Sequence, residues 1–313
     1  MRVSPILLLL VALSVAPCHA EDPGCLTRTI PVSSFNADRN SPQELLAGDL
    51  KGTYEKKQVL VKSVELESTP PRVVLLIDTS TSMAGRIGAT VDVAEGVLSR
   101  MPDLAPVGLA FFSVTTLPVV MPTLDRKSLI FQLEALRKSP ESFRSDTALW
   151  SALIRVSKMF ETPRAGGAIY LISDAGEDKS LESQVDVQMA LTRAGIRLFG
   201  LIFETSGFRN RTKAELEGPG QFQKLVDATG GVSIFTLEAA SPFPKRAPFL
   251  DRDGHATELS LSVSQQLEQL LTFYRVEITL PKAVDNPSRL KMRYSGQWRS
   301  VTITYPQFLS PCS

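Results

Sequence analysis

Histidine is nearly missing from this chain. There are 2 in 313 residues, His19 and His255, alongside 3 cysteines and 2 tryptophans. These shortages exclude whole classes of chemistry. A zinc hydrolase needs more imidazole or thiolate than is present. A Ser-His-Asp triad would have to use His255, in a proline-rich stretch, and no Gly-x-Ser-x-Gly elbow accompanies it. A glycine-rich phosphate loop ending in lysine is also missing, which removes ordinary nucleotide binding. No excess of one charge exists either: Lys plus Arg is 34, Asp plus Glu is 33 and the net charge is +1. A chain that neutralises many phosphates carries a clear basic excess, so nucleic acid is not an expected partner. No stretch reaches about 18 uninterrupted apolar residues, so no transmembrane anchor is expected in the mature chain.

What is present is an ordinary globular composition, 43% hydrophobic and 21% charged, with room for one large domain or a domain with additions. Residues 1–20, "MRVSPILLLLVALSVAPCHA", start with a basic Arg2, continue apolar from Ile6 to Ala16 and end in small residues at Ala20. That is the plan of a secretory signal peptide cleaved after Ala20, and the expected location is exported, either periplasmic or secreted. Acylation of Cys18 is the alternative, but it would place Pro17 at the cleaved bond. With Cys18 removed, Cys25 and Cys312 remain at the two extremes of the mature chain. Domain termini often lie close together and export meets an oxidising compartment, so a Cys25–Cys312 disulfide is expected. Two separate thiols are the alternative.

Residues 21–70 form an N-terminal β flank, with strand-like density in "KKQVLVKSVELE" before Pro70-Pro71. Over 71–240, apolar strands alternate with helical patterns: "VVLLID", "VGLAFFS", "TLPVVMP", "GGAIYLISD", "IRLFGLIFE" and "VSIFTL", with amphipathic or buried helices between. This predicts an α/β fold with a doubly wound, mostly parallel sheet. The short link between "VGLAFFS" and "TLPVVMP" allows only an antiparallel pairing, hence one antiparallel edge strand. Residues 241–256 read as a Pro-rich connecting loop, in which "DRDG" (251–254) reads as a turn. Residues 257–313 read as a helix plus a hairpin over "SRLKMRYSGQWRSVTITYP", so that small β-rich segments flank the domain at both ends.

The run "VVLLID" ends in Asp78 and continues with Thr79, Ser80, Thr81 and Ser82. In a doubly wound sheet, ligands bind beyond the carboxyl ends of the strands. Asp174 ends another strand at that edge, and Thr147 opens a helix there, its hydroxyl and the positive helix end both facing the edge. Asp78, Ser80, Ser82, Thr147 and Asp174 all offer hard oxygen, which suits Mg²⁺, Mn²⁺ or Ca²⁺ and not zinc or copper. Three hydroxyls and two carboxylates leave a coordination position open, which a carboxylate from another molecule could take. The bland alternative for the first loop is a helix N-cap with an Asx-type turn. For Glu177 and Asp178 it is a solvated loop, and for Trp150 a core position.

"DTSTSM", then "DTALW", then "LISDAGED" resembles the metal-ion-dependent adhesion site of von Willebrand factor A (VWA) domains. The resemblance covers about residues 71–240 and implies a VWA/Rossmann-like fold. It also implies that Asp78, Ser80, Ser82, Thr147 and Asp174 hold a divalent cation, Mg²⁺ or else Mn²⁺ or Ca²⁺, with the hydroxyls touching it and the carboxylates often acting through water. Two departures stand out: Asp146 where the family commonly has Gly, and Ala175 between Asp174 and the following Gly. The wider frame is similar to bacterial exported proteins built around such a domain. An aspartyl phosphotransferase would need a second Asp where Ser80 stands, and a hydroxyl cannot shuttle a proton in the same pH range. No enzymatic activity is therefore expected. The expected function is metal-dependent binding, for adhesion or envelope assembly, of a protein partner that presents an exposed Asp or Glu. The alternative is a structural or assembly factor with a vestigial metal site.

Overall fold

A computed structural model describes residues 23–39, 41–139, 146–160, 166–204, 212–237 and 258–311. The expected signal peptide, Cys312, the "DRDG" turn and the Pro-rich loop with His255 lie outside the described residues. The first elements are α1 (Pro23–Leu26), β1 (Thr27–Asn36), β2 (Ser41–Pro42), β3 (Leu50–Tyr54), β4 (Lys57–Leu66) and β5 (Val73–Asp78). After β5 comes a 3-10 turn, Thr81–Arg86, then α2 (Ile87–Arg100), β6 (Val107–Phe112), β7 (Thr116–Thr123), α3 (Arg126–Arg137) and α4 (Leu149–Ser157). The alternation ends with β8 (Gly167–Ser173), α5 (Gln184–Ala194), β9 (Ile196–Glu204), α6 (Lys213–Thr229) and β10 (Ser233–Leu237). The last elements are α7 (Glu258–Leu271), β11 (Tyr274–Thr279), β12 (Ser288–Tyr294), β13 (Val301–Thr304) and β14 (Phe308–Leu309).

A six-stranded sheet runs β10-β9-β8-β5-β6-β7, parallel throughout except for β7, which pairs antiparallel with β6. Its central strands β5, β6, β8 and β9 read as nearly unbroken apolar runs because both faces are covered. In β5, Val73, Leu75 and Ile77 face the core beneath α2, α3 and α7. Val74 and Leu76 face the opposite core, beneath α4, α5 and α6. Pro118 and Pro122 stand in β7, the edge strand, where a missing N–H is tolerated. Helix ends follow local rules. Ser183 and Asp186 form a capping box on α5, and Gly195 closes it in the left-handed region at φ 67°.

The two small flanks expected at the ends are instead one sheet. Eight antiparallel strands run β13-β1-β11-β4-β3-β12-β14, with β2 beside β1. Strands before and after the α/β layer interleave in it around a third core, which includes Ile30, Val32, Tyr54, Val276, Ile278 and Leu290. The hairpin expected over residues 288–304 does not form. β12 pairs with β3, placing Leu290 opposite Tyr54, while β13 pairs with β1. The physical reason lies between them. Arg39 stacks on Trp298 at 4.4 Å, and the Ser300 carbonyl accepts from Ala37 N at 3.1 Å, which draws the segment across to β1. Helix α7 buries Val263, Leu267 and Leu270 in the α/β core and so joins the two sheets.

Arg197 sits at that junction, 0% exposed. It donates to Ser33 Oγ (3.1 Å), Gln269 O (3.0 Å), Gly166 O (3.2 Å) and Leu270 O (2.6 Å). Its guanidinium lies 4.2 Å from the Phe273 ring centre. Burial pushes its pKa down to about 9.

Candidate functional site

Beyond the carboxyl ends of β5 and β8, two loops meet. Asp78 is fully buried at the tip of β5. Its Oδ1 accepts from Ser80 N at 2.8 Å, an Asx-type turn, and its Oδ2 accepts from Ser173 Oγ at 2.5 Å. Ser80 is the N-cap of the 3-10 turn but makes no side-chain cap bond. Its Oγ lies 3.1 Å from Ser82 Oγ instead. Thr79 turns the other way, donating through N and Oγ1 to Phe112 O at 2.7 and 2.9 Å. The alternating row thus divides by role: Thr79 anchors the loop to β6, and the buried Ser80 meets the exposed Ser82 through their hydroxyls.

Asp174 follows β8 and is also buried. Its Oδ1 accepts from Gly176 N at 3.1 Å. Its Oδ2 is buried and has no hydrogen-bond partner. Ala175 holds a left-handed φ of 59°, which is strained for a residue with a Cβ. Ser173 Oγ accepts from Ala175 N at 2.8 Å, and Gly218 of α6 packs so tightly here that a Cβ on it would sit 2.0 Å from Ala175 O. One serine, Ser173, therefore orders both loops.

Thr147 is buried just before α4. It does not cap the helix; Ala148 holds that position without a side-chain bond. The helix end is taken by the loop after β8. Glu177 Oε2 accepts from Trp150 N at 2.8 Å, and Ser180 Oγ accepts from Ser151 N at 3.0 Å. Asp178 Oδ1 accepts from Thr147 N at 3.0 Å, and Thr147 O accepts from Lys179 N at 3.0 Å. Glu177, partly buried, thus clips the start of α4, and Asp178, exposed to solvent as expected of the loop, clips Thr147; Trp150 is core. Asp146 is exposed and pairs with Lys179 at 3.3 Å. Ser80, Ser82, Thr147, Gly176 and Asp178 line one open cleft of about 160 Å³, with Asp78 and Asp174 beneath it.

The electrostatics of the pair are unbalanced. Burial, then the neighbouring Asp174 carboxylate, raises the Asp78 pKa to about 7 against the hydrogen bonds from Ser173 and Ser80. A buried carboxylate oxygen without a donor is a demand for positive charge. Among the described residues no group of three or more His, Cys, Asp or Glu could hold a metal ion; the candidate set contains two carboxylates and three hydroxyls. Sequence reasoning missed Ser173 and Arg86. Ser173 carried a faint signal, a hydroxyl closing an otherwise apolar strand.

A doubly wound sheet with one antiparallel edge and an oxygen-lined loop cluster past its carboxyl ends defines a VWA-type α/β domain. The model of the family "VWA domain containing CoxE-like protein" matches residues 53–218, more than half of the 313, and the chain belongs to that family. No curated protein matches it. Among solved structures, the conserved hypothetical protein BatB of Bacteroides thetaiotaomicron is 18% identical, covers 64% of this chain and 98% of its own, and has a TM-score of 0.46. A von Willebrand factor type A protein of Catenulispora acidiphila is 12% identical over 89% of this chain and 72% of its own, with a TM-score of 0.42. A manganese-loaded Plasmodium vivax TRAP protein is 14% identical over 80% and 98%, with a TM-score of 0.42.

Proposed function

We propose that this is an exported, non-catalytic binding protein that holds an acidic group of a protein partner through a divalent cation at the Asp78 loop. The observation that carries the reading is the buried Asp174 Oδ2, which has no hydrogen-bond donor and stands two residues before Gly176, a residue of the cleft that Ser80, Ser82 and Thr147 line. The donor set is hard oxygen only, which fits Mg²⁺ or Mn²⁺. Ser80, Ser82 and Thr147 would hold the ion, with Asp78 and Asp174 supplying charge from below. When bound, the ion supplies an open position of positive charge that accepts a carboxylate. The chain's own part is to orient the hydroxyls: Ser173 locks Asp78, and Asp178 locks Thr147.

A pull-down from the exported proteome with and without EDTA tests this. The partner should be released by EDTA. Thr147→Ala removes one hydroxyl and leaves both carboxylates, so the fold should persist while affinity falls about tenfold, about 1.4 kcal/mol. Undiminished binding of Thr147→Ala in EDTA would place the contact on another face. The second reading is a structural or assembly factor with a vestigial metal site. It is favoured by Arg86, whose Nη1 lies 3.8 Å from Asp174 Oδ2 and brings positive charge to the same place. A partner retained in EDTA at full strength would support it.

Export and a Cys25–Cys312 bridge belong to the same proposal. Cys25 is not a free thiol. Thr27, Arg28, Leu309 and Ser310 line one cleft, which brings the two ends of the described chain together. No helix among the described residues is long and apolar enough to cross a membrane. Non-reducing digestion and mass spectrometry of exported protein should yield a linked peptide pair containing both cysteines. Two free thiols in freshly purified protein, or a lipid on Cys18, would count against it.

A further inference from the structure

The site proposed for a divalent cation carries a cation of its own. Arg86 ends the 3-10 turn that begins just after Ser80, so the loop that presents Ser80 and Ser82 also delivers a guanidinium. The side chain turns inward and is 7% exposed, its Nη1 3.9 Å from Met83 Sδ and 3.8 Å from Asp174 Oδ2. Arginine prefers to meet a carboxylate in short, forked hydrogen bonds. Here the distance is within ion-pair range but too long for a hydrogen bond, and Asp174 Oδ2 receives none from any other group. Asp174 is held through its other oxygen, by Gly176 N at 3.1 Å, so its free oxygen feels the field of Arg86 without being captured by it.

Resting on the metal reading above, we propose that Arg86 is a tethered counter-charge that competes with the divalent cation for Asp174 and makes retention of that cation depend on the partner's carboxylate. The charge count shows why. Of the charged groups buried beneath the cleft, Asp78, Asp174 and Arg86 together carry one net negative charge when ionised, while Asp178 at the rim is exposed to solvent. A divalent cation turns this into one positive charge, unfavourable in a poorly solvated pocket. A guest carboxylate returns the site to neutrality. Without Arg86 the same pair of carboxylates would balance a divalent cation by themselves, and metal would bind more tightly in the absence of a partner.

The test uses the full chain as wild type, as two neutral variants, Arg86→Gln and Arg86→Met, and as Arg86→Lys. Mn²⁺ alone is titrated calorimetrically, and each protein is melted in EDTA. Both neutral variants should bind Mn²⁺ about tenfold tighter than wild type, the size expected for removing one nearby like charge. Arg86→Lys should stay near wild type. Arg86→Met keeps an apolar stem against Met83, so the test survives if Arg86→Gln fails to fold. In EDTA the neutral variants should melt lower than wild type, and Asp174→Asn should shrink that difference, since it removes the other half of the pair. Equal or weaker Mn²⁺ binding by the neutral variants overturns the competition and leaves the metal reading standing. No Mn²⁺ binding by any of the proteins overturns both.

Discussion

Arg197→Ala should lower the thermal unfolding midpoint by on the order of 10 °C. Two effects of opposite sign compete at this residue. Burying a guanidinium without a carboxylate is costly, which is why its pKa is pushed down to about 9. Against that stand four donated hydrogen bonds that together tie β1, β8, β9 and the end of α7. Two of the acceptors, Gln269 O and Leu270 O, lie in the last turn of α7, where carbonyls are unpaired and the helix end is negative. The fold has already absorbed the desolvation cost. Truncation would remove the guanidinium donor from the Leu270 and Gly166 carbonyls, at about 1–3 kcal/mol each, would leave Gln269 O only its bond from Ser33 Oγ, and would open a void. We expect a loss of about 3–5 kcal/mol, and each kcal/mol moves the midpoint of a domain this large by roughly 2–4 °C. Arg197→Lys should rescue little, because a single ammonium cannot reach acceptors spread around a planar fork. A midpoint for Arg197→Ala within two degrees of wild type would show that the arginine is incidental to the joining of the two sheets.

Mg²⁺ should stabilise the wild-type protein and leave Asp78→Ala unmoved. A ligand at a hundred times its Kd that binds only the native state adds about 2.7 kcal/mol, which corresponds to a rise of several degrees in a Mg²⁺ titration followed by melting. Asp78 is the decisive position because it lies fully buried beneath the hydroxyls and orders the loop that carries them. Asp78→Asn is the companion variant. It keeps an oxygen for Ser80 N and removes the charge. In chelator it should melt no lower than wild type, since a buried carboxylate beside Asp174 is a cost when no cation is present. It too should fail to respond to Mg²⁺. Equal Mg²⁺ shifts in wild type and both variants would place the ion elsewhere on the molecule.

The sequence by itself determined the α/β layer, because the interactions that specify it are local or nearly so. A strand covered on both faces must be apolar at every position, and Val73 to Ile77 are. Helix ends announce themselves in Ser183 and Gly195. Asp78, Ser80 and Ser82 are neighbours in the chain, and Asp174 and Thr147 stand at element ends that a parallel sheet must bring to one edge. Only the tertiary structure decided the rest. β1 takes its partners from β11 and β13, more than two hundred residues later, and no residue of "TRTIPVSSFN" names them. The adjacent strands β12 and β13 read as a hairpin yet pair elsewhere, because antiparallel pairing is set by which side chains fit across the ladder. Charged residues were the least legible of all. Glu177 reads as a loop acid and caps α4, Arg197 is a charge within the apolar run "IRLFGLIFE" and joins two sheets, and Arg86 belongs to no motif of the sequence and lies beside Asp174. A charge takes its role from the partner that burial forces on it, and that partner is chosen by the fold and not by the residue's neighbours in the chain.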